Sequence, residues 1–308
     1  MNQLRVFDGH CDTALALYEK REGLRDNSGH VSLGRAEALD GYAQFFAFFT
    51  TRGPVDPETY FGLLYQNFQK QLTANAKAVS LCRQAEQVEA ALDQGKLAAL
   101  LSIEGAEAIG CDPGKLEWAK ELGIRMIGLT WNDENALAGS HLTGGGLTAQ
   151  GREFVKRAQK LGLVIDVSHC SERTFWDVCD IAERPIAASH SNARVVWDHS
   201  RNLTDEQYRA LCDLGGTAGL NFYTAFLGPE PVNLDAAVRH LEHFAALGEG
   251  HVALGGDWDG CDSLPAGISG IDGCRTLKEC LLERGWTREQ TDRVFYGNLM
   301  GVLKRCDM

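Results

Sequence analysis

The stretch at residues 6–17, VFDGHCDTALAL, contains the unit from which the fold can be predicted. It begins as an apolar β-strand and places Asp8, His10 and Asp12 at alternate positions. Side chains two residues apart on a strand point to the same face. A face with two carboxylates and an imidazole is either a solvated edge or the beginning of a metal site. The same unit, an apolar segment followed by an ionisable or aromatic side chain, recurs along the chain.

Short apolar segments alternate with longer amphipathic ones over the whole sequence. The predicted strands are residues 5–8, 43–49, 98–103, 125–130, 164–167, 186–189, 217–222 and 252–256. Apolar residues recur every three or four positions between most of them, which indicates helices. The predicted helices are residues 58–81, 147–161, 171–181, 205–214, 234–247, 275–284 and 287–305. Ser171 and Thr204 have the residue type and position of helix N-caps. Eight strands alternating with helices predict one α/β domain over residues 1–308, a (β/α)8 TIM-like barrel. An open doubly wound sheet is the alternative.

Composition narrows the class of partner. The chain has 308 residues and a net charge of −12, and a nucleic-acid partner is not expected because such proteins usually have a basic surface. No apolar run approaches the roughly 18 residues of a membrane span. No secretory signal precedes the first predicted strand, so we expect a cytoplasmic protein. The ten cysteines include no CxxC pair, and we expect them to be reduced.

In a barrel of this kind, functional side chains lie at the C-terminal ends of the strands. Polar or aromatic side chains follow the predicted strands here: His10 and Asp12, Glu104, His169, His190, Tyr223, and Asp257 with Asp259. Each of them alone has an ordinary structural explanation, such as a loop histidine or a turn aspartate. Their joint occurrence at one end of the barrel favours a functional site.

Imidazole nitrogens and carboxylate oxygens suit Zn²⁺ and similar divalent ions. The candidate ligands are His10, Asp12, Glu104, His169 and His190. Five ligands are too many for one catalytic zinc, which typically takes about three from the protein. They suit two ions if one carboxylate bridges them, and a hydroxide shared by two ions is a strong nucleophile near neutral pH. A further carboxylate outside the ligand set is then needed to move the proton.

A set of short motifs, ordered along residues 8–303, resembles the membrane (renal) dipeptidase family of binuclear zinc dipeptidases, which belongs to the amidohydrolase-like metal-dependent hydrolases. The motifs are DGHCD, SIEGAEAIG, GLTWNDENALA, GLTAQGREFVKRAQKLGLVIDVSHCS, PIAASHSNAR, SRNLTDEQ, GLNFY, GGDWDG and GNLMGVL. The resemblance implies a barrel with two Zn²⁺ ions per chain. In that pattern His10 and Asp12 hold one zinc, His169 and His190 hold the other, and Glu104 bridges both.

The resemblance also implies roles around the metals. Asp259, the second aspartate of GGDWDG, matches the catalytic acid/base, whereas Asp257 is interpreted as support outside the ligand set. Arg201 matches the arginine that binds the terminal carboxylate of the substrate, and Tyr223 matches a tyrosine of the pocket wall. The implied reaction is hydrolysis of a dipeptide by a metal-bridged hydroxide, with Asp259 passing a proton to the leaving amine.

One position departs from the family pattern. Better-known members carry a histidine after LT that holds the scissile carbonyl, and this chain has Trp131 there. An indole N–H is an uncharged donor, so Trp131 cannot act in the same way. Asn132 is the neighbouring candidate donor, and His141, in a glycine-rich segment, is expected to be an ordinary loop residue.

Two alternatives remain open from the sequence. The same barrel can host an amidase, a lactonase or a deacylase, because function depends on the site and not on the fold. A non-catalytic metal-binding scaffold is the third reading. A homodimer is expected by analogy, and no membrane partner is expected.

Overall fold

The computed structural model describes residues 4–307. Its strands are Arg5–Cys11 (β1), Gly41–Phe49 (β2), Val79–Leu81 (β3), Leu97–Glu104 (β4), Ile124–Gly128 (β5), Val164–Asp166 (β6), Ile186–Ala188 (β7), Thr217–Leu220 (β8) and Val252–Leu254 (β9). They form one sheet in the order β2-β1-β9-β8-β7-β6-β5-β4-β3, with every neighbour parallel. An additional pairing of β2 with β4 closes eight of these strands into a barrel. The predicted TIM-like barrel is therefore confirmed, and the open sheet is excluded.

Helices follow most barrel strands and surround the sheet. They are Thr13–Lys20 (α1), Leu33–Ala36 (α2), Pro57–Ala74 (α3), Ala85–Asp93 (α4), Leu116–Leu122 (α5), Ala149–Lys160 (α6), Glu172–Cys179 (α7), Asp205–Asp213 (α8), Leu234–Gly248 (α9), Cys274–Glu283 (α10), Arg288–Asp292 (α11) and Asn298–Asp307 (α12). The side chain of Ser171 accepts from the Thr174 amide, and Thr204 forms a capping box with Gln207. Both predicted N-caps are confirmed.

Two predicted helices differ from the structure. The helix expected at 58–81 ends at Ala74, and Val79–Leu81 forms β3 instead, which pairs with β4 outside the closed ring. Three residues are too few for a period-two pattern to stand out. The helix expected at 287–305 is divided into α11 and α12 by a π-helical turn at Arg293–Gly297. Beside this turn the side chain of Asn298 donates to the carbonyl oxygens of Glu249 and Val252, which ties the segment to the start of β9.

The barrel has an apolar layer beneath its polar end. On β4, Leu100 lies four residues before Glu104 and therefore on the same face of the strand. Leu100 belongs to a buried cluster with Phe7, Phe45 and Met126. The rings of Phe7 and Phe45 stack with centroids 5.6 Å apart. This packed layer supports the strand ends, so that the polar side chains above it have fixed positions.

Among residues 4–307 of the structure, no helix combines the length and apolar character that crossing a membrane requires.

Candidate metal centre and substrate pocket

The five expected metal ligands meet at the C-terminal end of the barrel. His10 lies near the end of β1, and Asp12 is the residue before α1. Glu104 is the last residue of β4, while His169 and His190 follow β6 and β7. All five are buried, with at most 9% of any of them exposed. Residues from four separate strands therefore converge on one place, as the barrel predicts.

Glu104 faces both halves of this cluster. Its Oε1 lies 2.8 Å from His169 Nε2 and 3.5 Å from His190 Nε2, and its Oε2 lies 3.7 Å from His10 Nε2. Two groups of candidate ligands share this carboxylate, His10–Asp12–Glu104 and Glu104–His169–His190. Within each group, the ligand atoms lie within 4.8 Å of one another. One carboxylate thus has an oxygen directed to each group, which is the arrangement of a bridging ligand.

The protonation of the two later histidines suits a cation. His169 Nδ1 donates to Asn132 Oδ1 at 3.0 Å, and an amide oxygen can only accept. Ser189 Oγ gives its own proton to Asp166, so it accepts from His190 Nδ1 at 2.7 Å. Both Nε2 atoms are then unprotonated, and they lie 3.1 Å apart. Two facing lone pairs at this distance require a positive charge, and neutral imidazoles oriented by such partners are typical metal ligands.

His10 and Asp12 fit the same conclusion. His10 Nε2 and Asp12 Oδ1 are buried without a hydrogen-bond partner among the described residues. His10 Nε2 lies 3.6 Å from Asp12 Oδ2 and 3.7 Å from Glu104 Oε2. Ligands at about 2.1 Å from one tetrahedral ion lie about 3.4 Å apart. The spacing of these donors therefore suits a divalent ion, and the set of imidazole and carboxylate donors suits zinc.

The cluster concentrates buried negative charge. Burial raises the pKa of Glu104 well above its usual value, and the neighbouring carboxylates of Asp12 and Asp257 raise it further. Burial alone would lower the pKa of His10, but Glu104 and Asp12 raise it to about 10. Burial lowers the pKa of His169 and His190, which keeps them neutral. Bound cations would offset the repulsion among these acids.

Asp8 belongs to the support of the site and not to the ligand set. The pairing of β1 with β2 shifts register between Asp8 and Cys11, so Asp8 and His10 have different surroundings. The Asp8 carboxylate accepts from the Gly256 amide and from Trp258 Nε1 at 2.9 Å. Burial raises the pKa of Asp8 to about 6, although these hydrogen bonds lower it. Asp8 thereby holds the GGDWDG turn against β1.

The two aspartates of that turn have different positions. Asp257 Oδ1 lies 3.9 Å from His10 Nε2, and its ligand atom groups with those of His10 and His190. Its Oδ2 accepts from Asn221 Nδ2 at 2.9 Å. Burial raises the pKa of Asp257, and His10 opposes that change. Asp257 therefore faces the cluster directly, contrary to the supporting position that we expected.

Asp259 has both carboxylate oxygens occupied away from the ligands. Its Oδ2 accepts from Thr13 Oγ1 and its Oδ1 from the His30 amide, each at 2.6 Å. Its own amide donates to His30 Nδ1 at 2.9 Å. Asp259 lines the pocket, but these bonds make it a connection between the turn and the segment around His30. The proton-transfer role predicted for Asp259 does not match this position.

Arg201 lies in the wall of the pocket, as we predicted from the sequence. It is 3% exposed, and its Nη1 donates to the Ser168 carbonyl oxygen. Its Nε and Nη2 are buried without a partner among residues 4–307. Burial lowers the pKa of Arg201, and the carboxylates of Asp257 and Glu104 in the ligand cluster oppose that change. A buried guanidinium with unused donors suits the planar carboxylate of a ligand.

The remaining predicted pocket residues have mixed outcomes. Trp131 and Tyr223 line a cavity of about 480 Å³ above the ligands. Asn132 also lines it, but its Oδ1 accepts from both His169 and His141, so it positions His169. His141 reaches inward, with its Nε2 2.9 Å from Asn132 Oδ1, and is not the ordinary loop residue that we expected.

The sequence reasoning missed several residues of the site. Phe49 and Arg52 lie at and after the end of β2, and Asn221 follows β8 and holds Asp257. The signal for Phe49 and Asn221 was available, because both stand at predicted strand ends. Arg52 lies in an irregular loop, where no periodicity indicates which side chain faces the pocket.

A parallel eight-stranded barrel with acidic and imidazole ligands at its C-terminal end defines the class of metal-dependent hydrolases. Within that class the chain belongs to the membrane dipeptidase family (peptidase family M19), whose family model matches residues 1–308. This confirms the family inferred from the motifs and makes the chain a metallopeptidase of the dipeptidase type.

Individual relatives agree with this assignment. An uncharacterized protein encoded in the pqqA 5' region of Klebsiella pneumoniae is 37% identical over 250 residues, which are 76% of this chain and 92% of that one. An uncharacterized dipeptidase of Schizosaccharomyces pombe is 31% identical over 236 residues, 74% of this chain and 58% of that one. The crystal structure of a Rhodobacter sphaeroides metallo peptidase liganded with a phosphinate mimic of L-Ala-D-Ala superposes with a TM-score of 0.91. It is 29% identical, over 99% of this chain and 100% of that chain.

Proposed function

We propose that the protein hydrolyses the peptide bond of dipeptides with two divalent metal ions, which the donor set favours as zinc. The observation that carries this proposal is Glu104, whose two oxygens face two separate groups of ligands. When bound, two such ions supply an activated water and a Lewis acid for the carbonyl. His10 and Asp12 would hold one ion and His169 and His190 the other, with the Glu104 carboxylate available to both groups.

Arg201 gives the reason for a substrate as short as a dipeptide. Its unused Nε and Nη2 donors would bind the terminal carboxylate and so place the neighbouring amide over the ligands. A longer chain would put an uncharged peptide group at the guanidinium and leave it unpaired, which is costly at a buried site. Tyr223 and Trp131 line the same cavity as Arg201.

Asp257 is the better candidate for proton transfer. Its carboxylate faces His10 and the cavity, and burial raises its pKa toward the range of a useful general base. It would take a proton from the attacking water and deliver it to the leaving amine. Asn221 holds Asp257 Oδ2 by a hydrogen bond, which leaves Oδ1 for this transfer. Asp259 keeps the turn in place through Thr13 and His30.

The first experiment combines metal analysis with a set of matched substrates. Protein purified without chelators should contain about two zinc ions per chain and should cleave L-Ala-L-Ala or L-Ala-D-Ala. The second peptide is included because the Rhodobacter sphaeroides relative was crystallised with its mimic. Metal without cleavage of any amide would support the scaffold alternative. Gel filtration of the same sample tests the expected homodimer.

Substitution of Arg201 separates a dipeptidase from an amidase, lactonase or deacylase. Arg201→Ala should raise KM for L-Ala-L-Ala at least tenfold, because a charged hydrogen bond to a carboxylate contributes about 1.5–3 kcal/mol. L-Ala-L-Ala amide lacks that carboxylate, so its KM should change less than threefold. Arg201→Lys keeps the charge but not the planar fork of donors. Its KM for L-Ala-L-Ala should therefore lie between that of the native enzyme and that of Arg201→Ala. Equal effects on both substrates would favour the alternative activities.

A further inference from the structure

We infer that Arg52 selects dipeptides whose N-terminal residue has an acidic side chain. This inference rests on the proposed dipeptidase function and specifies its substrate class. Arg52 lies in the loop after β2, and its side chain lines the same cavity as Arg201 and the metal ligands.

The first support is the way in which Arg52 is held. Its guanidinium carbon lies 4.2 Å from the centroid of the Trp131 ring. The same ring also packs against Phe49, with centroids 4.8 Å apart. A guanidinium stacked on an indole has a limited orientation but keeps its in-plane N–H donors available. Trp131, which replaces the histidine of better-known relatives, thus provides a platform for a cation in the pocket.

The second support is the absence of an internal partner. Within the part of the chain that the structure describes, Arg52 forms no ion pair with any carboxylate, whereas most other arginines of the chain do. A cation that lines a pocket with no acid of its own is available to an anionic ligand group. The chain is acidic overall, with a net charge of −12, so an unpaired arginine at this position is not explained by an excess of basic residues.

The third support is topological. In the closed ring, β2 and β7 are separated by β1, β9 and β8 on one side and by β4, β5 and β6 on the other. They are therefore diametrically opposed. Arg52 follows β2 and Arg201 lies in the loop after β7, and both line one cavity together with the ligands Asp12, Glu104 and His169. If Arg201 binds the terminal carboxylate and the amide lies over the ligands, the N-terminal residue extends toward Arg52.

These three observations together define the substrate chemistry. A dipeptide with glutamate or aspartate as its first residue presents a carboxylate at each end and a peptide bond between them. The two arginines follow opposite strands of the ring and line one cavity with the candidate metal ligands, which matches that charge pattern. Because Arg52 is exposed at its outer side, the pair that it forms is worth less than the buried one at Arg201.

The test compares isosteric substrates in the metal-loaded enzyme. L-Glu-L-Ala and L-Gln-L-Ala differ only in charge, and their ratio of kcat/KM should be about three to five, the range of an exposed charge pair. The ratio should approach one in Arg52→Gln and also at high ionic strength, where such pairs are screened. Arg239→Gln is the matched control, since Arg239 is an exposed arginine on α9 outside the pocket, and it should keep the ratio of the native enzyme.

The outcomes distinguish this inference from the proposed function. If L-Ala-L-Ala is cleaved but the Glu/Gln ratio is one, or is unchanged in Arg52→Gln, the inference is overturned and the dipeptidase assignment stands. If the preference appears for L-Ala-L-Glu over L-Ala-L-Gln instead, the assignment of Arg52 to the N-terminal residue is overturned. If no dipeptide is cleaved, the proposed function itself fails.

Discussion

The two ends of the barrel differ in how their buried charges are paired. At the N-terminal end, the buried guanidinium of Arg125 on β5 donates to the Gly162 carbonyl oxygen and pairs with Asp307 of α12. At the C-terminal end, His10 Nε2 and Asp12 Oδ1 have no partner in the described chain, and two imidazole lone pairs face each other. The charge of Arg125 is thus balanced by an acid of the same chain, whereas His10 and Asp12 leave acceptor atoms directed at the candidate metal centre.

This contrast implies a cost in free energy at the functional end. An unpartnered buried polar group costs about 1–3 kcal/mol, and a buried charge costs more. The apolar layer beneath the cluster, with Phe7 stacked on Phe45, offsets that cost. A ligand that binds only the folded chain shifts the folding equilibrium toward the folded state and so raises the stability. Metal removal should therefore lower stability and activity together, whereas changes at the other end should affect stability alone.

The largest expected effect comes from Glu104→Gln. Loss of the shared carboxylate should lower kcat at least 10³-fold and reduce the bound metal, as measured by turnover and by metal analysis. In chelator-treated protein the same change replaces a buried carboxyl group whose ionisation burial, Asp12 and Asp257 oppose and His10 favours. The melting temperature of metal-free Glu104→Gln should then exceed that of the metal-free native chain by about 2–4 °C. A lower value would mean that Glu104 is compensated within the chain, and the contrast between the ends would not hold.

The second comparison is between the two aspartates of GGDWDG. Asp257→Asn should lower kcat by about 10²–10⁴ with metal content preserved, as expected for loss of a general base. Asp259→Asn should mainly lower stability, by about 1–3 kcal/mol, because an amide NH₂ would face the Thr13 hydroxyl or the His30 amide. Turnover and denaturant unfolding of both variants test this. If Asp259→Asn lowers kcat and Asp257→Asn mainly lowers stability, the acid/base assignment returns to Asp259.

The difference between these aspartates shows where prediction from the sequence ended. Strand ends could be predicted from apolar segments, and with them His10, Glu104, His169 and His190. Asp257 and Asp259 stand two positions apart in one glycine-rich turn, with φ of 56° and 66°. In this left-handed backbone, alternation no longer indicates which side chain faces the site. A Cβ at Gly260 would lie 2.0 Å from Asp12 Oδ2, so the turn must pass directly beside the ligands.

Loop residues were unpredictable for a related reason. Arg52 and His141 reach the pocket from segments without regular structure, and their positions depend on tertiary contacts with Trp131 and Asn132. The family resemblance indicated that position 131 was unusual, but only the structure placed a cation over the indole. Residues at strand ends were thus predictable from the pattern, whereas the loop residues Arg52 and His141 were not.

The last prediction concerns the N-terminal end of the barrel, where stability should change without activity. Arg125→Met keeps the apolar stem but removes the donor to the Gly162 carbonyl oxygen and the partner of Asp307. The side chains of this pair are 5% and 11% exposed, and Asp307 also accepts from the Ala85 amide at the start of α4. Because one buried partner is left uncompensated, the free energy of unfolding should fall by about 2–3 kcal/mol, with kcat/KM for L-Ala-L-Ala unchanged.

The double variant Arg125→Met/Asp307→Asn removes both charges and should recover part of this loss, since an uncharged pair leaves no isolated ion. Urea unfolding of the two single variants and the double variant measures the coupling directly. Additive losses would show that the ion pair contributes no coupling energy. A parallel loss of turnover in Arg125→Met would show that the two ends of the barrel are linked. Unchanged turnover with a coupling of 1 kcal/mol or more would show that stability and activity are separated along the same strand, from Arg125 at the start of β5 to Trp131 beyond its end.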